Sequence, residues 1–127
     1  MIRITFCLTR KDGMTLDDFQ DYWLTKHAPL VKSVAGTLHI RRYVQLHTRN
    51  FPETEGARAS RAGTLKSAPA IYDGVAELWW DSMKDLNAAV STEAGVAAGR
   101  LLLEDEAKFI DFSRSPLWYG EEEVIIG

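Results

Sequence analysis

One amphipathic segment, TLDDFQDYWLTKHAPLVKSVAG at residues 15–36, sets the pattern for the rest of the chain. Its apolar side chains recur at steps of three, four and seven residues, which places them in one stripe along an α-helix. The stripe consists of Leu16, Phe19, Trp23, Leu30 and Val34. Thr15 is a residue type that caps first turns, and Gly36 is a typical stop. Pro29 removes one backbone hydrogen bond and is expected to kink this helix.

His27 falls on the same stripe and is its only titratable side chain, one turn beyond Trp23. One interpretation is a buried structural histidine with a backbone or carboxylate partner. The other is an acid/base or hydrogen-bonding group that faces a pocket between this helix and a sheet, since histidine titrates near neutral pH. Residue type and periodicity by themselves favour the structural interpretation.

The composition limits the class of protein. With 127 residues, 46% of them hydrophobic, the chain is expected to form a single domain, residues 1–127, with its own core. The net charge of −3 is spread over mixed signs, so we expect no nucleic-acid partner. Cys7 is the only cysteine, which excludes an intrachain disulfide and favours a reducing compartment. The sequence has neither a signal-peptide pattern nor a membrane-spanning apolar run, so we expect a cytoplasmic protein without a membrane partner.

Strands are predicted where apolar and polar residues alternate, and helices where the period lengthens. The predicted strands are Ile2–Thr9, Leu38–Thr48, Val75–Trp80 and Phe109–Phe112. A second helix is expected to begin at a cap on Asp81 or Ser82 and, after an interruption at Gly95 and Gly99, to continue to about Glu106. Residues 117–127 are predicted to form a C-terminal extension.

The predicted order of elements is βαββαβ, which indicates an α+β fold of the ferredoxin-like type with an antiparallel sheet. Such a sheet carries both helices on one face and leaves the other face bare. Every predicted strand offers apolar or aromatic residues, so we expect a second copy to cover the bare face. The sequence therefore predicts a homodimer formed through the open sheet face.

Residues 50–70 are polar and small, without hydrophobic periodicity, and are predicted to form a loop insert. Such an insert is either a surface excursion or a functional cover. In the second case Arg58, Arg61 and Lys66 would lie over a pocket that holds an anionic or carbonyl-bearing ligand.

Several catalytic motifs are missing from the sequence. It contains no glycine-rich phosphate loop and no nucleophile elbow, and no spacing indicates a metal site, so we expect neither a metal nor a cofactor. Glu104, Asp105 and Glu106 close the second helical region, where acids oppose the helix dipole. Either they are solvated near Lys108, or Asp105 turns inward to pair with a group such as His27.

Two sets of motifs resemble the EthD domain family, which is named for a protein of ethyl tert-butyl ether degradation. The first is FQDYWLTKHAPLV at residues 19–31 with YVQ at 43–45. The second is YDGVAELWWDS at residues 72–82 with DEAKFID at 105–111. The resemblance covers nearly the whole chain outside residues 50–70 and the extreme C-terminus. It implies a dimeric α+β barrel, with ligand pockets between the helices and the sheet of each protomer.

The resemblance also implies a range of functions. Relatives on this fold include muconolactone-type isomerases, cofactor-independent oxygenases, and fungal polyketide dehydratases or decarboxylases. A histidine of the first helix is commonly implicated in the catalytic ones, and that position matches His27. We therefore expect a cofactor-independent enzyme that acts on a small apolar oxygenated or aromatic metabolite, with His27 as acid/base or hydrogen-bond donor and Asp105 as its orienting carboxylate. The expected wall residues are Tyr22, Trp23, Tyr43 and Trp79.

Two rival interpretations remain open at this point. In one, the chain is a non-catalytic accessory or ligand-binding protein of a degradation pathway, because no motif fixes a second catalytic group beside His27. In the other, Trp23 and His27 belong to the core and the chain has no ligand.

Overall fold

The computed structural model describes residues 1–62 and 71–127. The strands are β1 (Ile2–Leu8), β2 (Arg42–His47), β3 (Gly74–Trp80) and β4 (Leu117–Glu121). The helices are α1 (Leu16–Tyr22), α2 (Ala28–Val34), α3 (Glu55–Ala62), α4 (Met83–Val90) and α5 (Glu93–Glu106). A π-helical turn (Trp23–His27) joins α1 to α2, and 3-10 turns lie at Pro52–Thr54 and Phe112–Arg114.

The four strands form one antiparallel sheet in the order β2-β3-β1-β4. This is the predicted α+β arrangement of the ferredoxin-like type, with helices packed on one face of the sheet. On that face Phe6 and Leu8 of β1 lie against Phe19 and Trp23 of the first helical segment. The alternate side chains point to the opposite face, where Leu46 of β2 is 58% exposed. The fold therefore gives the sheet a covered face and an open face.

The first helical segment begins where the sequence predicts, because the Thr15 side chain accepts a hydrogen bond from the Asp18 amide at 3.0 Å. The expected disturbance near Pro29 takes the form of the π-helical turn immediately before it. In that turn the Ala28 amide donates to the Trp23 carbonyl, five residues back. A proline ring crowds the carbonyl four residues before it, and the wider π turn relieves this contact without ending the helix.

The prediction of a strand over Phe109–Phe112 is wrong. In this segment Ile110 makes an isolated bridge to Arg10, and a 3-10 turn follows. The fully buried Phe109 ring packs instead against the rings of Phe19 and Tyr22. The fourth strand is β4, which pairs with β1 and occupies part of the predicted C-terminal extension. Burial in the core, rather than strand pairing, accounts for this apolar segment.

The prediction for residues 50–70 is also wrong in part. Residues 52–62 form a 3-10 turn and then α3, which carries Arg58 and Arg61. Lys66, the third proposed cover residue, lies outside the described residues. α3 is polar, with its side chains exposed from Glu55 to Arg61 apart from the half-buried Arg58. α3 carries no large apolar side chain, so its period does not show as the apolar stripe of a core-facing helix.

Local packing explains why the start of β2 and the bounds of α4 and α5 differ from the predictions. Leu38 stays in turns that follow α2 because its side chain is buried against Val31 and α5, so β2 begins only at Arg42. Ser82 caps α4, and a second cap at Thr92 starts α5.

Gly95 lies inside α5 and does not interrupt it. A Cβ on this residue would lie 1.8 Å from the Ala89 carbonyl oxygen, so only glycine fits where α4 and α5 meet.

Candidate functional site

His27 lies at the end of the π-helical turn with only 5% of its surface exposed. Its ring packs at a tilt against Phe109, with the ring centroids 5.2 Å apart. The apolar stripe of the first helical segment therefore faces the core as predicted, and His27 lies on it between this segment, α5 and the sheet.

The carboxylate of Asp105, on the last turn of α5, receives two hydrogen bonds from the first helical segment. Its Oδ2 lies 2.8 Å from His27 Nδ1, and the Tyr22 hydroxyl donates to its Oδ1 at 2.7 Å. Lys108 Nζ approaches Oδ1 at 3.6 Å from the solvent side. Of the two alternatives for the acidic run, the structure selects the inward one: Asp105 is buried and pairs with His27.

The protonation states in this cluster follow from burial and hydrogen bonding. Burial raises the pKa of Asp105, but the hydrogen bonds from Tyr22 and His27 outweigh it and leave the pKa below its usual value, so Asp105 is ionised. The hydrogen bond to Asp105 is the main reason that the pKa of Tyr22 rises to about 12, which keeps Tyr22 a donor. Burial lowers the pKa of His27, and the Asp105 carboxylate offsets this only in part.

His27 is therefore neutral at pH 7. Because the ionised Asp105 can only accept hydrogen bonds, the proton of the neutral imidazole belongs on Nδ1. The lone pair is then on Nε2, which makes no hydrogen bond within residues 1–62 and 71–127. This arrangement is that of an imidazole oriented by a carboxylate and able to take up a proton.

A small cavity of about 50 Å³ lies beside His27 between the helices and the sheet. Most of its wall is apolar and comes from Phe6, Leu8, Trp23, Val31, Ala76, Leu78, Leu102 and Ile110. Three further residues bring polar groups to it: His27, Tyr43 and Glu106. Small-molecule sites commonly combine apolar walls with a few convergent polar groups.

A wider, open groove of about 460 Å³ lies between the first helical segment and β2. It is lined by Leu24, Ala28, Tyr43, Gln45, His47 and Arg49. Tyr43 lines both spaces, so its side chain lies between the small cavity and the groove. Burial is the main reason that the pKa of Tyr43 rises to about 12, so its phenol stays protonated.

Trp23 fixes the wall of the site through contacts on three sides. Its carbonyl accepts a hydrogen bond from Gln45 Nε2 at 2.9 Å, and its ring stacks on His47 with the centroids 4.6 Å apart. Gly74 of β3 lies beneath the ring, since a Cβ there would be 2.4 Å from the indole. These contacts explain why the polar row of β2, rather than its apolar row, faces the helices.

The structure brings Tyr22, Trp23, Tyr43 and Asp105 together around His27, but it does not bring Trp79 there. Trp79 lies on the open face of the sheet, where the guanidinium groups of Arg3 and Arg42 cover its ring at 5.6 and 4.7 Å. The expectation of Trp79 as a wall residue does not hold for the cavity beside His27, because alternation along β3 turns it away. On the same open face, Glu77 pairs with Arg3 at 3.6 Å.

The sequence analysis did not single out Glu106 as a site residue. Its carboxyl lines the cavity, and burial followed by the charge of Asp105 raises its pKa to about 7. The helical spacing could have indicated this position. Ala98, Leu102 and Glu106 recur at steps of four on α5, and the first two are buried, so Glu106 lies on the inward face of the helix.

Two negative findings apply to the described part of the chain. It contains no group of three or more histidine, cysteine, aspartate or glutamate side chains with the geometry of a metal site. None of its helices is both long enough and apolar enough to cross a membrane.

Comparisons with known proteins agree with this architecture. The family model of the EthD domain matches residues 11–113. A protein of Claviceps purpurea named as a decarboxylase is 25% identical over 126 residues, which are 98% of this chain and 86% of that protein.

Two solved structures share the fold. The crystal structure of an EthD family protein from Bacillus halodurans superimposes with a TM-score of 0.60 at 20% identity, and covers 97% of this chain and 100% of that one. A dimeric protein of unknown function with a ferredoxin-like fold from Bacteroides fragilis gives a TM-score of 0.57 at 10% identity, with 95% of each chain covered.

Proposed function

The chain belongs to the EthD domain family, and from that membership we propose that it is a cofactor-independent enzyme acting on a small apolar oxygenated or aromatic metabolite. The observation that carries the proposal is the buried His27–Asp105 hydrogen bond at the wall of a largely apolar cavity. In this proposal His27 Nε2 takes a proton from the substrate, and Asp105 orients the ring and stabilises the imidazolium that forms.

The second carboxylate oxygen of Asp105 supports a positioning role. The Tyr22 hydroxyl holds it at 2.7 Å, so the carboxylate is fixed from both sides before a substrate binds. A histidine needed only for packing would gain nothing from this preorganisation, and an apolar side chain in its place would avoid the cost of burying polar groups.

The size of the cavity sets how a substrate would enter. An apolar cavity of about 150 Å³ is large enough for benzene, whereas this one measures about 50 Å³. We propose that the Tyr43 side chain moves aside on binding, which would join the cavity to the groove of about 460 Å³. The ligand would then lie across both spaces, with its reacting end at His27.

The reaction class is a separate question from the fold. The decarboxylase of Claviceps purpurea supports an enzymatic role for this chain, because a histidine that exchanges protons could protonate the carbon left by a departing carboxylate. The same histidine could equally start an isomerisation or a dehydration, so the proposal stays with proton transfer to or from carbon.

We further propose that the chain forms a homodimer through the open face of the sheet. The face presents the exposed Leu46 and Trp118 beside the half-buried Val44 and Val75, an apolar surface that a second copy would cover. The dimeric description of the protein from Bacteroides fragilis supports this assembly.

The test is a thermal-shift screen of the wild type and the His27→Gln variant against small lactones, quinones, phenols, tertiary alcohols and aromatic acids, followed by turnover assays on the hits. We expect a saturable shift in the wild type that is weakened in the variant, and turnover that falls by about 10²-fold or more. A ligand that binds the wild type and is never converted would favour the accessory, ligand-binding alternative. A wild type that responds to no compound, with a variant that merely melts lower, would favour a structural histidine.

A further inference from the structure

The cavity holds a second ionisable group that the proposed function does not use. Glu106 is the last residue of α5, and its side chain lines the same cavity as His27. Its carboxyl takes part in no hydrogen bond or ion pair among the residues that the structure describes, in contrast to its neighbour Asp105. The residue is half-buried, and a carboxyl that loses hydration without gaining a partner favours its neutral form.

The charged and titratable groups around Glu106 favour its protonated form up to about pH 7. Asp105, adjacent in the chain, is ionised and repels a second negative charge. From the other elements, His27 is neutral and Tyr43 carries a protonated phenol. The nearby cation, Lys108, lies against Asp105. With burial as the largest contribution, the pKa of Glu106 rises to about 7.

We propose that Glu106 is the general acid that acts together with His27, and that the substrate is a small apolar carbonyl compound with an acidic C–H beside the carbonyl group. The inference rests on the proposed function, because it supplies the proton donor for a reaction in which His27 is the base. A neutral base and a protonated acid on one small cavity are the two groups that enolisation requires.

The proposed step is balanced in atoms and charge. His27 Nε2 takes the proton from the α-carbon, and the electrons of the broken C–H bond form a C=C bond to the carbonyl carbon. The π electrons of the carbonyl take the proton of Glu106, which gives the neutral enol, a carboxylate on Glu106 and an imidazolium on His27. In the reverse direction Glu106 recovers its proton from the enol oxygen, and His27 returns a proton to the same carbon or to the far end of a conjugated system.

The test follows deuterium incorporation from D₂O into the α-position of four probes, butanone, cyclohexanone, 2-tetralone and α-angelica lactone, by proton NMR. The proteins are the wild type, His27→Gln, Glu106→Gln and the control Glu104→Gln, which changes an exposed acid on the same helix. We expect the wild type to exceed the buffer rate on at least one probe. Each of the two cavity variants should lower the rate at least about tenfold, with the control unchanged.

Each other outcome is decisive. A Glu106→Gln variant as active as the wild type, beside an inactive His27→Gln, would overturn the role of Glu106 and leave the proposed function standing. A fully active His27→Gln would overturn the proposed function itself. A wild type that exceeds the buffer rate on none of the four probes would overturn the carbonyl substrate class and the acid role of Glu106, and would leave the proposed function to the thermal-shift screen.

A second readout needs only the wild type and so does not depend on how well the variant folds. Because Glu106 must be protonated to donate, the exchange rate should decline as the pH rises through about 7. In a folded Glu106→Gln variant the residual rate should lose this decline. A wild-type rate that holds constant from pH 6 to 9 would overturn the proposal.

Discussion

The two faces of the sheet differ in the groups that they leave without a partner: hydrogen-bonding groups on one face and apolar surface on the other. On the face covered by the helices, Tyr22, Asp105 and His27 form one hydrogen-bonded chain, and the unused capacity is a lone pair and a proton at a cavity. On the open face the polar groups Arg3 and Arg42 stack on Trp79, and the unsatisfied feature is exposed apolar surface such as Leu46. A free lone pair and a proton at a cavity suit chemistry on a small molecule, and exposed apolar surface suits association with another chain.

The largest effect is expected from truncating the covered face. Trp23 is almost completely buried and contacts Phe19, His47 and Gly74, so Trp23→Ala should lower the free energy of unfolding by about 3–5 kcal/mol. Urea denaturation measures this change. The matched control is Leu24→Ala, which truncates the next residue of the same turn, 57% exposed, and should stay within about 0.5 kcal/mol. Equal costs for the two variants would contradict the packing described for Trp23.

A smaller loss should follow from adding one methyl group beneath Trp23. In Gly74→Ala the new Cβ would meet the indole at 2.4 Å and the Leu46 carbonyl oxygen at 2.8 Å, so the ring or the strand has to shift. We expect a loss of about 1–3 kcal/mol in the free energy of unfolding. The control Gly99→Ala places its Cβ in open space on α5 and should be neutral or stabilising. A neutral Gly74→Ala would mean that the ring does not lie on this strand.

Changing the open face should affect association instead. Leu46→Asp puts a charge on the apolar surface proposed to join two copies, and we expect the dimer dissociation constant to rise at least about tenfold, or about 1.4 kcal/mol. Analytical ultracentrifugation over a concentration series measures it. Ligand-induced thermal shifts should persist, because Leu46 points away from the cavity. An unchanged dissociation constant would exclude this face as the interface.

The pH dependence of stability should distinguish the two cavity groups, because they act in opposite directions. The pKa of His27 is lowered in the native state, so below about pH 6.5 the unfolded chain takes up a proton first and stability falls with falling pH. The pKa of Glu106 is raised from 4.5 to about 7, so between these values the native state holds more protons and stability falls with rising pH.

Urea midpoints from pH 4.5 to 8.5 separate the two contributions. His27→Gln should reduce the loss of stability on the acid side, and Glu106→Gln should reduce the loss between pH 4.5 and 7, with Glu104→Gln as the exposed control for both. If the slope of the free energy of unfolding against pH does not change in the cavity variants, these groups titrate alike in the folded and unfolded chains.

The fold was predictable from the sequence because its elements carry periodic signals. The apolar stripe of the first helical segment and the alternation in β1 and β3 determine the βαββαβ order. The polar helix α3 has no stripe to detect. Phe109 and Ile110 resemble a strand because burial in a core and burial in a sheet select the same residues.

The candidate site was predictable only in part. Helical spacing places His27 next to Trp23, but its pairing with Asp105 joins residues 78 positions apart and could be stated only as one of two alternatives. Strict alternation along β3 already places Trp79 on the face of Glu77 and Val75, away from the helices. Glu106 is distinguished from Glu104 by its place on the buried row of α5, which composition alone does not indicate.

NMR of the ¹⁵N-labelled imidazole tests most directly whether His27 is a neutral base that Asp105 orients. At pH 7 we predict the neutral tautomer with its proton on Nδ1, and a titration that gives a pKa below 6.5. In Asp105→Asn the Nδ1–H preference should weaken. An imidazolium at pH 7, or a neutral ring with its proton on Nε2, would contradict the assignment of His27 as the base.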